Sequence, residues 1–259
     1  MLLHDSHNHL QRFADPARII AEMKRAGVAG CVVNGTREDD WPRVADLAER
    51  FPDFVRPAFG LHPWWAHQRS PRWLGRLEEM LDRFPAASIG ECGLDGWVAG
   101  PPLDVQRAVF LPQLALARER GLPLTVHALH AWEPLFAAFA EEAPPQRFLL
   151  HSFGGSPELV KRLTPLGAWF SCSGHFLHPR KAKALAAFRS VPPDRLLLET
   201  DAPDMPPPDD FAPHRAPEGN HPANLPAIAR GLAASLGMEA QDLADLTARN
   251  HHRFFTPPP

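Results

Sequence analysis

Short apolar segments alternate with longer amphipathic segments along the whole chain. The short segments have the length and the β-branched character of buried parallel strands, and the longer ones repeat apolar residues at helical spacing. A helix is predicted over Pro16–Ala26, with Asp15 as its N-cap and Gly27 at its end. A strand over Val28–Asn34 and a helix over Trp41–Arg50 follow. Eight such units predict the α/β class and a closed (β/α)8 barrel.

The other elements follow the same alternation. The first strand begins at Leu2 and Leu3, and further strands are predicted at 54–60, at 87–92 and within the segments LPLTVHALH, QRFLLHSFGG, GAWFSCSG and DRLLLETDAP. Further helices are predicted at 72–84, at Leu103–Arg120, at 223–236 and at 239–255. The last two follow the eighth strand, so they should pack back onto the barrel as C-terminal helices.

One proline-rich stretch interrupts the pattern. Residues 202–222 hold seven prolines and show neither strand nor helix periodicity. Because this stretch follows the last strand, we expect it to form a loop over the barrel mouth. No long low-complexity linker divides the chain, so residues 1–259 are predicted to form a single domain.

The ends of the predicted strands carry polar residues that suit a metal site. Asp5, His7 and His9 lie two residues apart, so an extended strand places all three side chains on one side. Two imidazoles at this spacing can converge on one divalent ion, and we expect Asp5 to hold a histidine ring from behind. The alternative is a polar strand end whose histidines alternate without function.

Reactive groups end the later strands as well, and in a barrel all of them would face one mouth. Glu91 can bridge two ions because a carboxylate has two oxygens. The prediction is that one ion is held by His7, His9 and Asp201 and the other by His127 and His151, with Glu91 between them. Each histidine alone could instead be a hydrogen-bonded core residue. Of the pair Glu199 and Asp201, at least one should face a metal or an arginine.

Composition narrows the classes of function. The net charge of −3 gives no general basic field for long nucleic acid, so any phosphate recognition must be local. The three cysteines have no metal-site or disulfide spacing, which favours a reducing cytoplasm. Neither a signal segment nor a membrane span is expected from the apolar pattern.

Seven motifs together resemble the TatD family of metal-dependent hydrolases, within the amidohydrolase-like barrels. They are DSHNHL, GLHP, IGECGLD, VHA, HSFGGS, ETDAP and NHP, in the order and approximate spacing of that family. The resemblance implies a distorted TIM barrel of the amidohydrolase type, a site for one or two divalent ions, and phosphodiester hydrolysis of DNA, often from the 3′ end of single strands. The family's ligands map onto His7, His9, Glu91, His127, His151 and Asp201, and the histidine of its GxHP segment maps onto His62.

Two positions depart from the family pattern. Leu129 stands where the family commonly has an arginine, with His130 after it, and Gly96 precedes Trp97 where an aromatic residue commonly follows GLD directly. A phosphate contact and a stacking platform are therefore expected to differ here, which bears on the substrate and not on the metal chemistry.

The expected mechanism uses Asp201, Glu91 and His62 as catalytic residues. Two divalent ions would lower the pKa of a bound water, supply hydroxide and neutralise charge on the phosphoryl oxygens. Asp201 would orient or deprotonate the water, and His62 would donate to the phosphate or to the leaving oxygen. The alternative role of His62 is a hydrogen-bonded turn beside Pro63. The ions would be Zn, Mn or Mg, and imidazole ligands favour Zn or Mn.

Short or single-stranded DNA is the expected partner, and no obligate protein partner is evident. Lys181 and Lys183, in the first turn of the helix after strand seven, could form an anion-binding rim or an ordinary solvated face. Trp64, Trp65 and Trp97 could stack bases or could pack the helix ring.

Two other functions remain open on the sequence. The same barrel could hydrolyse a carbonyl substrate such as an ester, lactone, amide or aminoacyl-tRNA, and the loss of an arginine at Leu129 makes this more credible. A non-catalytic protein that keeps metal for stability would instead have a closed coordination shell.

Overall fold

The computed structural model describes residues 2–97 and 100–256. Eight parallel strands form one sheet in which each strand pairs with its neighbours in the sequence, in the order β1 to β8. They are β1 (Leu3–Asn8), β2 (Val28–Asn34), β3 (Val55–Phe59), β4 (Ser88–Asp95), β5 (Leu124–Leu129), β6 (Phe148–Leu150), β7 (Ala168–Cys172) and β8 (Leu196–Leu198). The predicted α/β class and (β/α)8 barrel are confirmed.

Helices follow the strands and surround the sheet. They are α1 (Pro16–Ala26), α2 (Trp41–Arg50), α3 (Trp73–Arg83), α4 (Leu103–Arg120), α5 (Trp132–Glu141), α6 (Pro157–Leu163), α7 (Ala182–Ala187), α8 (Leu225–Leu236) and α9 (Ala240–Phe255). Among the described residues, no helix is both long enough and apolar enough to cross a bilayer.

The sequence predicted the bounds of several helices correctly because their ends carry strong local signals. The Asp15 side chain accepts a hydrogen bond from the Arg18 N–H, and Gly27 ends α1 with a left-handed φ of 96°. Helix α8, predicted from about residue 223, begins at Leu225 after a 3-10 turn over Pro222–Asn224 and ends at Leu236 as predicted.

Strand β4 is longer than predicted. The prediction ended it at Cys92, whereas the strand continues to Asp95 and pairs with β5 up to the register of Asp95 with Leu129. Gly93 suggested a break, but the glycine allows the two backbones to approach closely. A Cβ atom at Gly93 would lie 2.0 Å from the His127 carbonyl oxygen.

The first and last strands approach each other through the segments at their ends. The Asp201 N–H donates to the His7 carbonyl at 3.0 Å, and the His9 N–H donates to the Ala202 carbonyl at 2.8 Å. These two bonds close the barrel next to the polar strand ends. The same closure brings residues from the start of the chain against residues almost two hundred positions later.

The proline-rich stretch 202–222 is tied to loops at the carboxyl end of the barrel. The Glu218 carboxylate accepts from the Ala14 N–H at 3.0 Å, after β1, and the His178 ring lies 3.2 Å from the Pro206 carbonyl, after β7. The stretch therefore lies beside the mouth. That it covers the mouth, and that residues 1–259 form one domain, stay predictions.

Candidate metal centre

The carboxyl ends of β1 and β8, together with Glu91 on β4, bring four ligand atoms close to one point. Alternate side chains of β1 point into the barrel, which brings the Nε2 atoms of His7 and His9 to 3.3 Å from each other. The Asp201 Oδ1 atom lies 3.5 Å from the His7 Nε2 and 3.4 Å from the His9 Nε2. The Glu91 Oε2 atom lies 3.4 Å and 3.3 Å from the same two nitrogens.

These separations fit a cation. In a tetrahedral site with bonds of about 2.1 Å, neighbouring ligand atoms lie about 3.4 Å apart. Four atoms with free lone pairs at that spacing repel each other unless a positive charge sits between them.

The other oxygen of Glu91 faces a second group of imidazoles. Glu91 Oε1 lies 2.9 Å from the His151 Nε2, 3.1 Å from the His127 Nδ1 and 3.2 Å from the His62 Nε2. The His151 Nε2 and His127 Nδ1 atoms are 3.4 Å apart. Thus the structure brings together all seven residues that the sequence selected, with Glu91 in the middle.

Acceptors behind two of the rings set which nitrogen is free. The His9 Nδ1 lies 2.8 Å from the Asn34 carbonyl, and the His127 Nε2 lies 2.9 Å from the Asp95 carboxylate. In both rings the N–H faces this acceptor, so the opposite nitrogen turns a lone pair toward Glu91, as a metal ligand requires. The His151 Nδ1 lies 3.6 Å from the Glu199 carboxylate, which is beyond hydrogen-bond distance but favours the same orientation of that ring.

His62 is oriented in the opposite sense. Its Nδ1 accepts a hydrogen bond from the Trp64 N–H at 3.2 Å, so in the neutral ring the proton is on Nε2. Burial lowers the pKa of His62 and favours that neutral ring. His62 therefore presents a donor to the site, which separates it from the other histidines. The turn beside Pro63 and the donor role coexist in this geometry.

The ionisable groups of the centre are strongly coupled. Burial and the nearby His151 lower the pKa of His7 to about 4. Burial acts against protonation of His9 too, but the Asp201 and Glu91 carboxylates raise its pKa to about 10. Glu91 is held well below the usual pKa of a carboxyl because the surrounding imidazoles outweigh its burial. Positive charge is thus favoured between these residues, which is what bound divalent ions supply.

The two acidic residues at the end of β8 have different roles. Asp201 faces His7 and His9, and it adopts a left-handed φ of 55° that few residues other than glycine tolerate. Glu199 is fully buried, accepts from the Ser171 hydroxyl at 2.5 Å and lies behind His151. Asp201 is thus the member of the pair that faces the candidate metal centre.

The expected role of Asp5 was wrong. Its carboxylate accepts from the Thr200 N–H at 2.9 Å, from the Thr200 hydroxyl at 2.6 Å and from the Asn8 amide at 3.0 Å. Among the described residues, no histidine ring donates a hydrogen bond to it. Burial raises the pKa of Asp5 to about 7. Asp5 fixes the end of β8 against β1 and so positions Asp201 indirectly.

Asp95 is a site residue that the sequence reasoning missed. Besides the His127 ring, its carboxylate accepts from the Trp64 indole N–H at 2.8 Å and from the Trp97 backbone N–H at 2.8 Å. The signal was available in IGECGLD, where Glu91 and Asp95 lie four residues apart on the same face of a strand. Ending the strand at Cys92 hid that relation.

The residues around the centre differ in exposure. The Trp64 side chain is 41% exposed and that of Trp97 is 71% exposed, whereas Trp65 is half-buried under the Arg37 guanidinium at 4.7 Å. Lys183 lies in the first turn of α7 as predicted, but Lys181 precedes that helix and ends a 3-10 turn. Two tryptophans are therefore available to a ligand, and the third packs the wall.

Comparisons with known proteins agree with this geometry. The family model described as TatD related DNase matches residues 4–256. The 3′-5′ ssDNA/RNA exonuclease TatD of Dickeya dadantii is 32% identical over 248 residues, which cover 94% of this chain and 93% of the relative. The metal-dependent hydrolase YabD of Bacillus subtilis is 30% identical over 258 residues, which cover 98% of this chain and 99% of the relative.

A solved structure gives the same result for the fold. The crystal structure of the TatD homologue YJJV from Escherichia coli superposes with a TM-score of 0.89 at 28% identity, covering 99% of this chain and 98% of the other. The strand-end cluster, the family model over nearly the whole chain and these relatives lead to one conclusion: this chain belongs to the TatD family of metal-dependent hydrolases.

Proposed function

We propose that this enzyme is a phosphodiesterase that removes nucleotides from the 3′ end of single-stranded nucleic acid. The observation that carries the proposal is the central position of Glu91. Each of its two carboxylate oxygens faces a separate group of side chains that could bind a metal ion. Paired divalent ions bridged by a carboxylate are suited to in-line displacement at phosphorus. Relatives of about the same length that are named 3′-5′ ssDNA/RNA exonuclease support the choice of substrate.

We propose that two ions bind on either side of Glu91. His7, His9 and Asp201 would hold one, and His127 and His151 the other. When bound, such ions polarise the phosphoryl group and increase the acidity of water. Four imidazoles among six ligands favour Zn or Mn over Mg.

The protein's own groups would perform the proton transfers. The Asp201 carboxylate lies beside both β1 histidines, where it can accept a hydrogen bond from the attacking water and orient it. The His62 Nε2–H can donate to the phosphate or to the leaving oxygen, because Trp64 fixes the ring in the donor form. Glu91 and His62 are buried, so the proposed hydrogen bonds to the water and to the phosphate would form away from bulk water.

The compartment is part of the proposal. The three cysteines are free and buried, which is compatible with a reducing cytoplasm.

A cleavage assay tests the proposal. Protein stripped of metal and reloaded with Mn, Zn or Mg is offered 5′-labelled single-stranded DNA and RNA. We expect a ladder of products shortened one nucleotide at a time, which Glu91→Gln abolishes and the surface variant Glu79→Gln leaves unchanged. Intact oligonucleotides together with turnover of a lactone, an ester or an amide would overturn the proposal and select the carbonyl hydrolase. The carbonyl substrates are included because Leu129 provides no cation beside His127 that could bind a phosphate.

A further inference from the structure

Three cations after β7 stand without a partner in the described part of the chain. Arg180, Lys181 and Lys183, called the cationic rim, make no ion pair and no side-chain hydrogen bond among the residues that the structure describes. Exposed cations elsewhere are commonly neutralised, as Arg50 is by Asp46 at 2.9 Å. In a chain whose net charge is −3, this is a local concentration of free positive charge.

The cationic rim lies at the mouth of the barrel. His175, at the start of the same loop, has its pKa lowered to about 4 by burial and by neighbouring cations, Lys181 foremost, while Asp201 acts in the opposite direction. The loop is held there because the His178 ring lies 3.2 Å from the Pro206 carbonyl of the proline-rich stretch. The cationic rim therefore lies on a loop that is held beside the site.

The other side of the mouth is aromatic. Trp64 and Trp97, called the aromatic platform, are 41% and 71% exposed. The Asp95 carboxylate accepts from the Trp64 indole N–H and from the Trp97 backbone N–H, each at 2.8 Å. The Trp64 ring also contacts the His62 ring edge to face, with 4.9 Å between centroids. A fixed and exposed indole beside a hydrolytic centre can stack a base of any sequence.

We infer that one strand of nucleic acid crosses the mouth, with its 3′-terminal base on the aromatic platform and the phosphates 5′ of the scissile bond on the cationic rim. This inference rests on the proposed function. Only the 5′ side of a strand trimmed at its 3′ end carries further phosphates, and the rim is the side with charge to receive them. The rim would thereby replace a phosphate contact on β5, where Leu129 is uncharged.

Binding measurements test the arrangement. Fluorescence anisotropy of the Mn-loaded protein is recorded with 5′-fluorescein dT2 and dT6, whose 3′-terminal linkage is a phosphorothioate that slows cleavage. We expect dT6 to bind more tightly than dT2, with an affinity that falls as salt is added. The triple variant Arg180→Ala/Lys181→Ala/Lys183→Ala should lose the advantage of dT6, and its slope of log affinity against log salt should decrease by about 2, or about 0.7 per phosphate contact.

A matched variant removes the same charge elsewhere. Lys24 and Lys161 are in the last turns of α1 and α6, which face the opposite end of the barrel, and Arg249 lies in the second half of α9. Lys24→Ala/Lys161→Ala/Arg249→Ala should bind dT6 as the unchanged protein does. On the platform, Trp64→Ala should weaken dT2 and dT6 alike, by at least about fivefold.

The outcomes separate this inference from the function on which it rests. If the unchanged protein cleaves oligonucleotides but the rim variant keeps both the preference for dT6 and the full salt slope, the rim is a solvated face and the inference is wrong. Equal losses in the rim variant and the matched variant would also overturn it. If the unchanged protein cleaves no oligonucleotide under any metal, the proposed function fails first.

Discussion

At the scale of single residues, the orientation of each ring decides what it can do. His9 and His127 have an acceptor behind the ring and a lone pair toward Glu91, whereas His62 has a donor behind it and an N–H toward Glu91. The proposed ligands and the proposed proton donor therefore differ in what contacts the far side of the ring. Sequence spacing alone does not reveal that difference.

His62→Gln tests the donor role. We expect the turnover number for an oligonucleotide to fall by about 100-fold or more, because a positioned acid contributes about 10²- to 10⁴-fold. Bound metal per chain, measured by elemental analysis, should stay the same as in the unchanged protein. Loss of metal in this variant would instead make His62 a ligand. Exposed His67→Gln serves as the control.

Asp95→Asn tests the residue that supports both His127 and the aromatic platform. We expect metal affinity or turnover to fall by about 10- to 100-fold, the usual effect of removing a group behind a ligand. The measurements are a competition titration with a chelating dye and the rate of oligonucleotide cleavage. Asp46→Asn, on the outer face of α2, is the control. Unchanged values for both quantities would show that Asp95 does not position His127.

At the scale of elements, the centre of the site lies on β4 and β5, and the pairing of these two strands is irregular. Their register shifts between Ile89 and Cys92, which brackets Glu91. Just beyond the shift, Gly93 allows the two backbones to approach closely. It has a φ of 137°, and it has no side chain that would collide with the His127 carbonyl. The predicted strand ended before Gly93, since a glycine in a sequence often marks the end of a strand. In the structure the glycine is present because β4 and β5 approach each other closely.

Gly93→Ala should therefore be costly. We expect the free energy of unfolding to fall by more than about 2 kcal/mol, since the Cβ atom and the backbone of β5 cannot occupy the same space. Urea denaturation gives the value. Gly75→Ala is the matched control because nothing lies within 4 Å of a Cβ atom there, and in α3 it should raise stability by up to about 1 kcal/mol. Similar small effects for both substitutions would contradict this account of the strand pair.

Helix α9 packs against the start of β1, and two imidazole rings stack at this contact. The His251 and His4 rings stack with 4.5 Å between centroids, and the His251 Nε2 is buried without a partner among the described residues. Burial, and then the positive groups His4, Arg56 and His252, hold the pKa of His251 well below the usual 6.5 of an imidazole. Burial lowers the pKa of His4 as well.

These shifts predict a loss of stability in acid. Below pH 6.5 His251 binds a proton in the unfolded chain but stays neutral in the folded chain. The free energy of unfolding therefore falls as the pH is lowered from 7 towards 5. Each histidine contributes at most about 1.4 kcal/mol per pH unit. His251→Phe should reduce this dependence in chemical denaturation at several pH values. An identical pH dependence in the variant would show that the stacked pair does not cause it.

At the scale of the whole molecule, the barrel converts scattered positions into a site. Alternation of strand and helix patterns was enough to predict eight units and the residues at their ends, because parallel strands of a barrel share one mouth. The closure between His7 and Asp201 was not predictable, since it rests on backbone bonds between segments far apart in the sequence. The role of Asp5 was missed for the same reason: its partner is Thr200.

Metal should stabilise the closed barrel as a unit. The proposed ligands come from the ends of β1, β4, β5, β6 and β8, so bound ions would link strands on both sides of the closure. At a free metal concentration of about 100 times the dissociation constant, we expect about 2.7 kcal/mol of added stability for one site. Differential scanning calorimetry with and without chelator measures it. Glu91→Gln should lose most of the increase in melting temperature, and an increase of equal size in that variant would place the metal elsewhere.

The most direct test of the central claim is anomalous diffraction from crystals of the Mn-loaded protein. The account predicts two peaks on opposite sides of the Glu91 carboxylate, one beside His7, His9 and Asp201 and the other beside His127 and His151. Peaks away from Glu91, or no peak at this cluster when manganese supports activity, would contradict it.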